Sequence, residues 1–326
     1  MRLPLPIASL SLDLDNQWSY LKTHGDAGWE TFPSYLDIVV PRALQLLARQ
    51  NLQITFFVVG QDAALEKNYD SLRMIAAAGH EIGNHSFSHE PWLYLYDEQR
   101  TQAEIALAEE AITRVTGQRP AGFRGPGFTS SEEVLRVLEQ RCYLYDASTL
   151  PTFLGPLARL YYLLHSNLSG EARRYRQRLF GSFRDGLRPL KPYYWHSNIL
   201  EIPVTTMPFF RTPIHMSYLL YMSAFSRGLA LAYFHAALRL CRWAGVSPSL
   251  LLHPLDFLGA DDDIGLRFFP GMQLQAEYKM KQVNEALNLF RQYFQVVTLK
   301  DHAQIVRKQY QQDVACQLRP RKYLNR

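Results

Sequence analysis

Two histidines four residues apart, His85 and His89 in Asn84-His85-Ser86-Phe87-Ser88-His89, are the pair around which chemistry can be assembled. Positions i and i+4 share a face where the backbone turns as a helix does, so both imidazoles can address one point. Neutral imidazole is the commonest side-chain metal ligand, which makes the pair a candidate divalent-metal half-site. Asp13 and Asp15 stand two apart at the end of an apolar run, and in an extended segment they point the same way. One of them with the two histidines makes an Asp/His2 set. Three protein ligands with an open position are the pattern of a catalytic rather than a structural zinc site. Such a position holds a water that the ion acidifies, and the other carboxylate is then a general base for its proton.

Further residues fit around that centre. Arg124, within Gly-Phe-Arg-Gly-Pro-Gly-Phe at 122–128, can hold a base ionised and aim it. The glycines let backbone approach a ligand closely, and the N–H groups just after Pro126, at Gly127 or Phe128, are candidate oxyanion donors. His253 closes the apolar run Leu250-Leu251-Leu252 and is the natural general acid for a leaving amine. Asp146, at a different strand end, would hold the proton of His253 and fix its tautomer.

The elements that position these residues follow from periodicity. Residues 7–13 read as a buried strand ending in Asp13-Leu14-Asp15-Asn16. From Pro33 to Gln50 apolar positions recur at helical spacing, and Leu52 to Val59 is a β-branched and aromatic strand closed by Gly60. Asp62 to Ala78 is helical by pattern, and 80–84 is a third strand with the histidine pair at its C-terminal end. Helices are expected at 97–116, 130–140 and 272–293, and strands at 122–124, 142–146, 199–204, 249–252 and 294–299. Strands alternating with helices predict a parallel sheet, and roughly seven or eight units predict a closed or nearly closed (β/α) barrel. The polar clusters fall at strand C-terminal ends, which in a barrel converge on the catalytic face.

Composition sets outer bounds. The chain has 326 residues, 47% hydrophobic, 20% charged and 13% aromatic, a globular rather than a disordered balance. Cys142, Cys241 and Cys316 are far apart and form no Cys-x-x-Cys, which argues against a disulfide framework or a thiolate zinc site and for a reducing compartment. The net charge of +5 suits an anionic partner without choosing one.

Taken in order, five segments resemble the motifs of the polysaccharide deacetylases with the NodB homology domain, carbohydrate esterase family 4. Ser11-Leu12-Asp13-Leu14-Asp15 is similar to the first, with Asp13 matching the base and Asp15 the metal ligand. His85-Ser86-Phe87-Ser88-His89 matches His-Ser/Thr-x-x-His, and Arg124-Gly125-Pro126-Gly127-Phe128 matches Arg-x-Pro-x-Tyr with phenylalanine for tyrosine. Asp146-Ala147-Ser148 lacks the fourth motif's tryptophan, which leaves the pocket wall and the Asp146 role open, and Leu250-Leu251-Leu252-His253 matches Leu-x-x-His. The family more often has adjacent aspartates. The Asp-x-Asp spacing resembles a branch that includes intracellular-type peptidoglycan deacetylases and cyclic-amide hydrolases. The resemblance covers about residues 5–150 and 195–305. It implies a distorted (β/α)7 barrel, one divalent ion (Zn2+ in the first place) on Asp15, His85 and His89, and hydrolysis of an N-acyl group, most simply acetyl, from an amino sugar.

One domain is expected over 1–326, with an insertion at about 151–195 and a helical segment at about 215–244. In the insertion Leu157, Leu160, Tyr161, Leu163 and Leu164 predict a short apolar helix. Arg173, Arg174, Arg176, Arg178, Arg184, Arg188 and Lys191 follow, against only Glu171 and Asp185. That is either a solvated basic helix or a lip for anionic lipid headgroups or a diphosphate-linked substrate. Tyr218 to Trp243 reads as one buried or amphipathic helix, because a membrane crossing there would put neighbouring strands of a single barrel on opposite sides. The proline-interrupted start, Met1 to Pro6, does not read as an export signal. The expectation is a cytoplasmic protein, peripheral at the inner face of a membrane, acting on a nucleotide- or lipid-linked glycan precursor, as in the family's lipid-carrier deformylases. No nucleic acid is expected as partner. The rivals are a non-sugar amide hydrolase on the same barrel, and a membrane-surface or nucleic-acid binding protein whose site has decayed.

Overall fold

The first strand, β1 (Ile7–Leu14), sets the frame because its sequence alternates. Ala8, Leu10, Leu12 and Leu14 join the main apolar core, while Ser9, Ser11 and Asp13 take the opposite face and are buried as well. A strand covered on both faces, with polar residues on one of them, belongs to a sheet that curls around its own polar interior. The computed structural model describes residues 4–166, 168, 170–175, 179, 181–195, 198–262 and 265–317.

After β1 come α1 (Gln17–His24), α2 (Leu36–Arg49), β2 (Thr55–Val58), α3 (Gly60–Ala64), α4 (Tyr69–Ala77) and β3 (Glu81–Asn84). These are followed by α5 (Glu98–Thr116), β4 (Gly122–Phe123), α6 (Glu132–Gln140) and β5 (Tyr145–Asp146). The insertion contributes α7 (Gly155–His165), α8 (Gly170–Tyr175) and β6 (Tyr193–Tyr194), ahead of β7 (Leu200–Glu201). Then come α9 (Met216–Ser223), α10 (Arg227–Ala244), β8 (Ser249–Leu252), α11 (Ala276–Tyr293), β9 (Gln295–Val297) and α12 (Leu299–Gln317).

The strands lie in the order β6-β7-β5-β4-β3-β2-β1-β8, with β9 pairing the start of β1. All these pairs are parallel except β6 with β7. The antiparallel strand departs from the all-parallel expectation, and it belongs to the insertion, folding back on β7 as a short edge. Among the described residues the path from β8 to β7 is not closed by a strand pair. Thr205, just beyond β7, spans the gap: its N–H donates to the Ser249 carbonyl at 3.0 Å, and its hydroxyl accepts from the Ser249 N–H at 2.8 Å. The result is a curled, nearly closed (β/α) sheet whose strand C-terminal ends face one way.

Two helical expectations are corrected. Asp62 to Ala78 is not one helix: Leu65 is extended (φ −99, ψ 118), and α4 begins only at Tyr69. The Asn68 amide reaches back to the Asp62 carbonyl at 3.2 Å and its carboxylate at 3.1 Å, which ties the break in place. The segment from Tyr218 to Trp243 is two helices. The break falls at Ala224–Ser226, where the Ser226 hydroxyl caps α10 by accepting from the Leu229 N–H. Among the described residues no helix is long and apolar enough to cross a membrane. In the insertion, α7 forms as expected and leaves Leu157, Leu160, Tyr161 and Leu164 exposed, while Arg173 and Arg174 are exposed on α8. Arg176 and Arg178 lie outside the described residues.

Candidate metal and hydrolytic site

Alternation along the strands delivers the polar groups to one interior. On β1 it places Ser11 and Asp13 inward and carries Asp15 just past the strand end. On β3 it places Glu81, Gly83 and then His85 on the matching face. Gly83 is required there, since a Cβ would stand 2.5 Å from the Phe57 ring.

The histidine pair converges by a loop, not by the helical turn that the spacing suggested. Ser86 and His89 are both left-handed (φ 60 and φ 49), so the stretch is not a right-handed helical turn. Short polar bonds hold it: the Asn84 Oδ1 accepts the Ser86 N–H at 2.9 Å, and the Glu104 Oε1 on α5 accepts the N–H groups of Phe87 and Ser88. Burial raises the Glu104 carboxyl above its ordinary range, with the Ser88 and Phe87 bonds opposing. Glu104 carries no motif, and only its position on the inner face of a helix could have singled it out.

Ligand atoms of Asp15, His85 and His89 all lie within 4.8 Å of one another, and all three residues are buried. The Asp15 Oδ1 is 3.2 Å from the His85 Nε2 and 2.9 Å from the His89 Nε2. The His85 Nδ1 lies 2.6 Å from the Arg124 carbonyl, which can only accept, so Nδ1 carries the hydrogen and the Nε2 lone pair of the neutral ring points at the carboxylate. A lone pair facing a carboxylate oxygen is a repulsive arrangement unless a cation lies between them. The donor set therefore fits a divalent ion. Without an ion a ring proton takes the cation's place: burial pushes the Asp15 carboxyl up, yet the charge of His89 and hydrogen bonds from both rings then hold it well below the usual carboxylate range.

Beside this cluster, Arg124 leaves the end of β4 fully buried. Its Nη1 donates to the Asp13 Oδ1 at 2.6 Å and the Ser11 Oγ at 2.8 Å, its Nε donates to the Ala147 carbonyl at 2.9 Å, and its Cζ lies 4.4 Å above the Phe57 ring centroid. Asp13 is thus held by Arg124 while Asp15 is held by the histidines. The two carboxylates therefore have different surroundings. Past Arg124 the chain turns tightly, and a Cβ at Gly125 would meet the Thr129 carbonyl oxygen at 1.9 Å. Gly127 and Phe128 are both left-handed, and the Phe128 N–H donates to the Gly125 carbonyl at 3.1 Å within this turn.

Asp146 and His253 do not pair as the sequence suggested. The Asp146 Oδ1 accepts from the Ser148 hydroxyl at 2.5 Å, and its carboxyl faces that of Glu201. Burial raises both acids, Glu201 well above its ordinary range with the charge of Asp146 adding to the shift. The Ser148 hydroxyl in turn accepts the Gly125 N–H at 2.8 Å, so Asp146 buttresses the arginine loop. His253 stands at the end of β8 with its Nδ1 3.1 Å from the Ser217 Oγ. The half-buried His215 ring lies 6.0 Å from it, centroid to centroid, and loss of water around the ring pushes His215 down to about 3. Sequence reading singled out neither His215, Ser217 nor Glu201.

A cleft of about 290 Å³ opens next to the arginine loop, with Tyr94, Phe128, Ser148, Asp185 and Trp195 among its lining residues. Asp185 and Trp195 come from the end of the insertion, so that segment walls the cleft. The Trp195 indole donates to Glu201 at 2.9 Å and carries the Arg188 guanidinium 4.7 Å above its ring.

Residues 24–145 match the family model described as polysaccharide deacetylase. That segment holds the histidine pair and Arg124, and it excludes Asp13, Asp15 and His253, which the fold brings to it. Over 120 residues the chain is 29% identical to a peptidoglycan deacetylase of Helicobacter pylori, covering 37% of this chain and 40% of that one. Over 86 residues it is 37% identical to a peptidoglycan-N-acetylglucosamine deacetylase of Bacillus cereus, covering 26% and 30%. The chain thus spans well under half the length of these relatives. A solved structure from Mycobacterium smegmatis, provisionally named a polysaccharide deacetylase, shares the fold with a TM-score of 0.58 at 20% identity, covering 95% of this chain and 96% of that one.

Proposed function

We propose that this chain, a member of the polysaccharide deacetylase family, is a metal-dependent amide hydrolase that removes N-acetyl groups from an amino-sugar glycan. The observation that carries the reading is the convergence of Asp15, His85 and His89 beside an Asp13 held separately by Arg124. A divalent ion on Asp15, His85 and His89, with zinc the first candidate from the Asp/His2 donors, would polarise the acetyl carbonyl and acidify water. Asp13 takes the proton of the attacking water, and Arg124 pairs with that carboxylate and aims it. The turn after Pro126 offers backbone N–H groups at Gly127 and Phe128 to the carbonyl oxygen; that of Phe128 must leave Gly125 to do so. As the C–N bond breaks, His253 protonates the nitrogen, and the products are acetate and a free amine.

The cleft beside Phe128, with Tyr94 and Trp195 as aromatic walls and several hydroxyls, suits a sugar chain. Peptidoglycan and chitin-type oligomers are therefore the first substrates. A lipid- or nucleotide-linked precursor is the finer reading. The exposed apolar residues of α7, with Arg173 and Arg174 exposed on α8, support it, and with it we propose peripheral contact with anionic membrane at its inner face. Against the decayed-site alternative stands the full set of acid, base and ligand residues.

The test is acetate release from peptidoglycan fragments, N-acetylglucosamine oligomers and lipid-linked precursors by protein reconstituted with Zn2+, Co2+ or Mn2+. Release with at least one ion and loss on chelation are expected. If no ion supports release and none raises the melting temperature, the hydrolase reading fails.

A further inference from the structure

His253 has an acidic partner that lies three residues downstream rather than across the sheet. The chain after β8 turns through Pro254–Asp256, and the Asp256 Oδ2 accepts the His253 backbone N–H at 2.8 Å. Its other oxygen, Oδ1, accepts from the Ser217 hydroxyl at 2.8 Å, and that same Oγ lies 3.1 Å from the His253 Nδ1. Ser217 reaches this point from the first turn of α9, so the network joins two elements that the strand pattern does not connect.

The proton inventory fixes the direction of these bonds. A serine hydroxyl has one hydrogen and two lone pairs, and an ionised carboxylate only accepts. The Ser217 hydrogen therefore goes to Asp256, and the lone pair left over can receive a hydrogen from His253. The Nδ1 of His253 is thereby the N–H nitrogen. In the acid form the second proton, the one a leaving nitrogen can take, is on Nε2.

The groups around Asp256 favour its charged form from more than one side. Burial raises its carboxyl, opposed by His253, by the Ser217 bond and by Lys279. Lys279, on α11, is itself buried and donates to the Leu255 carbonyl at 2.9 Å. The other titratable neighbours are His215, held neutral by burial, and Tyr20 on α1, whose hydroxyl burial keeps protonated. Asp146 is committed elsewhere, to Ser148 and Glu201.

We propose that Asp256, acting through the Ser217 hydroxyl, is the positioning group for His253, holding the ring as an Nδ1–H tautomer with its transferable proton at Nε2. The assignment rests on the hydrolase reading for its catalytic consequence, and on hydrogen-bond geometry with an ionised Asp256 for the tautomer. Ser217→Ala cuts the relay, Asp256→Asn removes its charge, and Ser217→Thr keeps the hydroxyl.

The experiment has a spectroscopic arm and a kinetic arm. In the first, 15N-histidine spectra, with His253→Gln assigning the resonance, show an Nδ1–H ring in wild type and Ser217→Thr. Ser217→Ala shows a mixed tautomer. In the second, Ser217→Ala and Asp256→Asn lose about tenfold or more in kcat/KM on an N-acetyl sugar, at unchanged metal content, and the alkaline limb of the pH profile moves to lower pH. An activated aryl acetate, whose leaving group needs no proton, is largely spared, and Ser217→Thr restores amide turnover. An Nε2–H ring in wild type, or equal losses on amide and activated ester, overturns the proposal. If wild type releases no acetate at all, the hydrolase reading falls while the spectra still decide the relay.

Discussion

Replacing Arg124 by methionine tests the division of labour between the two aspartates. Arg124 is wholly buried and Asp13 is 4% exposed, so the guanidinium is the countercharge that the Asp13 carboxylate has in place of water. Methionine fills much of the volume and keeps contact with Phe57, and it leaves a buried carboxylate unpaired. Breaking one side of a buried ion pair typically costs about 3–5 kcal/mol. The Ser11 hydroxyl and the Ala147 carbonyl also lose their donor, which places the change toward the upper end of that range. Urea unfolding at pH 7 in a chelator, which removes any linkage to metal, measures the loss. The double variant Arg124→Met with Asp13→Asn takes away the stranded charge and should recover about 1–3 kcal/mol, the coupling expected of groups in direct contact. Metal affinity should change little in either variant, because Asp15, His85 and His89 are left in place. Acetate release should fall by about 10²-fold or more through loss of the oriented base. The reasoning is refuted if the single variants sum to the double, or if Arg124→Met alone removes bound metal.

Asp15→Ala should abolish metal binding by calorimetry, whereas Asp13→Asn should keep metal and lose turnover; equal metal loss in both would reverse or dissolve the assignment. His302 is buried with its Nδ1 on the Ser9 hydroxyl at 2.9 Å, and burial pushes it down to about 4. Its folded value lies below the unfolded one, so its stabilising effect is complete above about pH 6.5 and is lost as pH falls towards 4, a loss of about 3 kcal/mol at most. Between those pH values, His302→Asn, which keeps an atom for Ser9, should show a shallower fall in unfolding free energy than wild type; identical slopes would discount burial as the cause. Flotation with anionic liposomes should weaken when Arg173, Arg174, Arg176 and Arg178 are changed to Ser, and binding that is unchanged, or absent in wild type, removes the membrane role of the insertion.

The convergence of Asp15, His85 and His89 was legible in the sequence because each piece of it is local. Asp13 and Asp15 share a face by strand alternation, and His85 and His89 follow a strand whose end the pattern marks. Arg124 was legible from the glycines around it, which announce a turn too tight for side chains, as the Gly125 contact with Thr129 shows. What failed was the reading of backbone detail inside these segments. Spacing of four suggested a helical turn at His85–His89, but the left-handed Ser86 and His89 depend on a Glu104 that arrives from another helix. The breaks at Leu65 and at Ala224–Ser226 are likewise set by side chains reaching back to the backbone, which hydrophobic periodicity does not register.

The pairing of His253 shows why such partners escape the sequence. From strand order alone, any carboxylate at a strand end is a candidate, and Asp146 was the nearest in the sense of a barrel mouth. Two facts of three-dimensional packing remove it: Glu201, the last residue of the neighbouring strand β7, competes for it, and Ser148 ties it to the Gly125 amide. The histidine then takes the carboxylate that its own turn supplies. Asp256 meets the His253 N–H because residues three apart across a short helical turn are capping partners, a geometry that local sequence does contain. The serine between them comes from a helix 36 positions upstream. A relay built this way needs β8 and α9 to be docked before the ring is oriented. The proposed acid is therefore sensitive to the packing of α9 in a way that the candidate metal ligands, which follow β1 and β3 directly, are not.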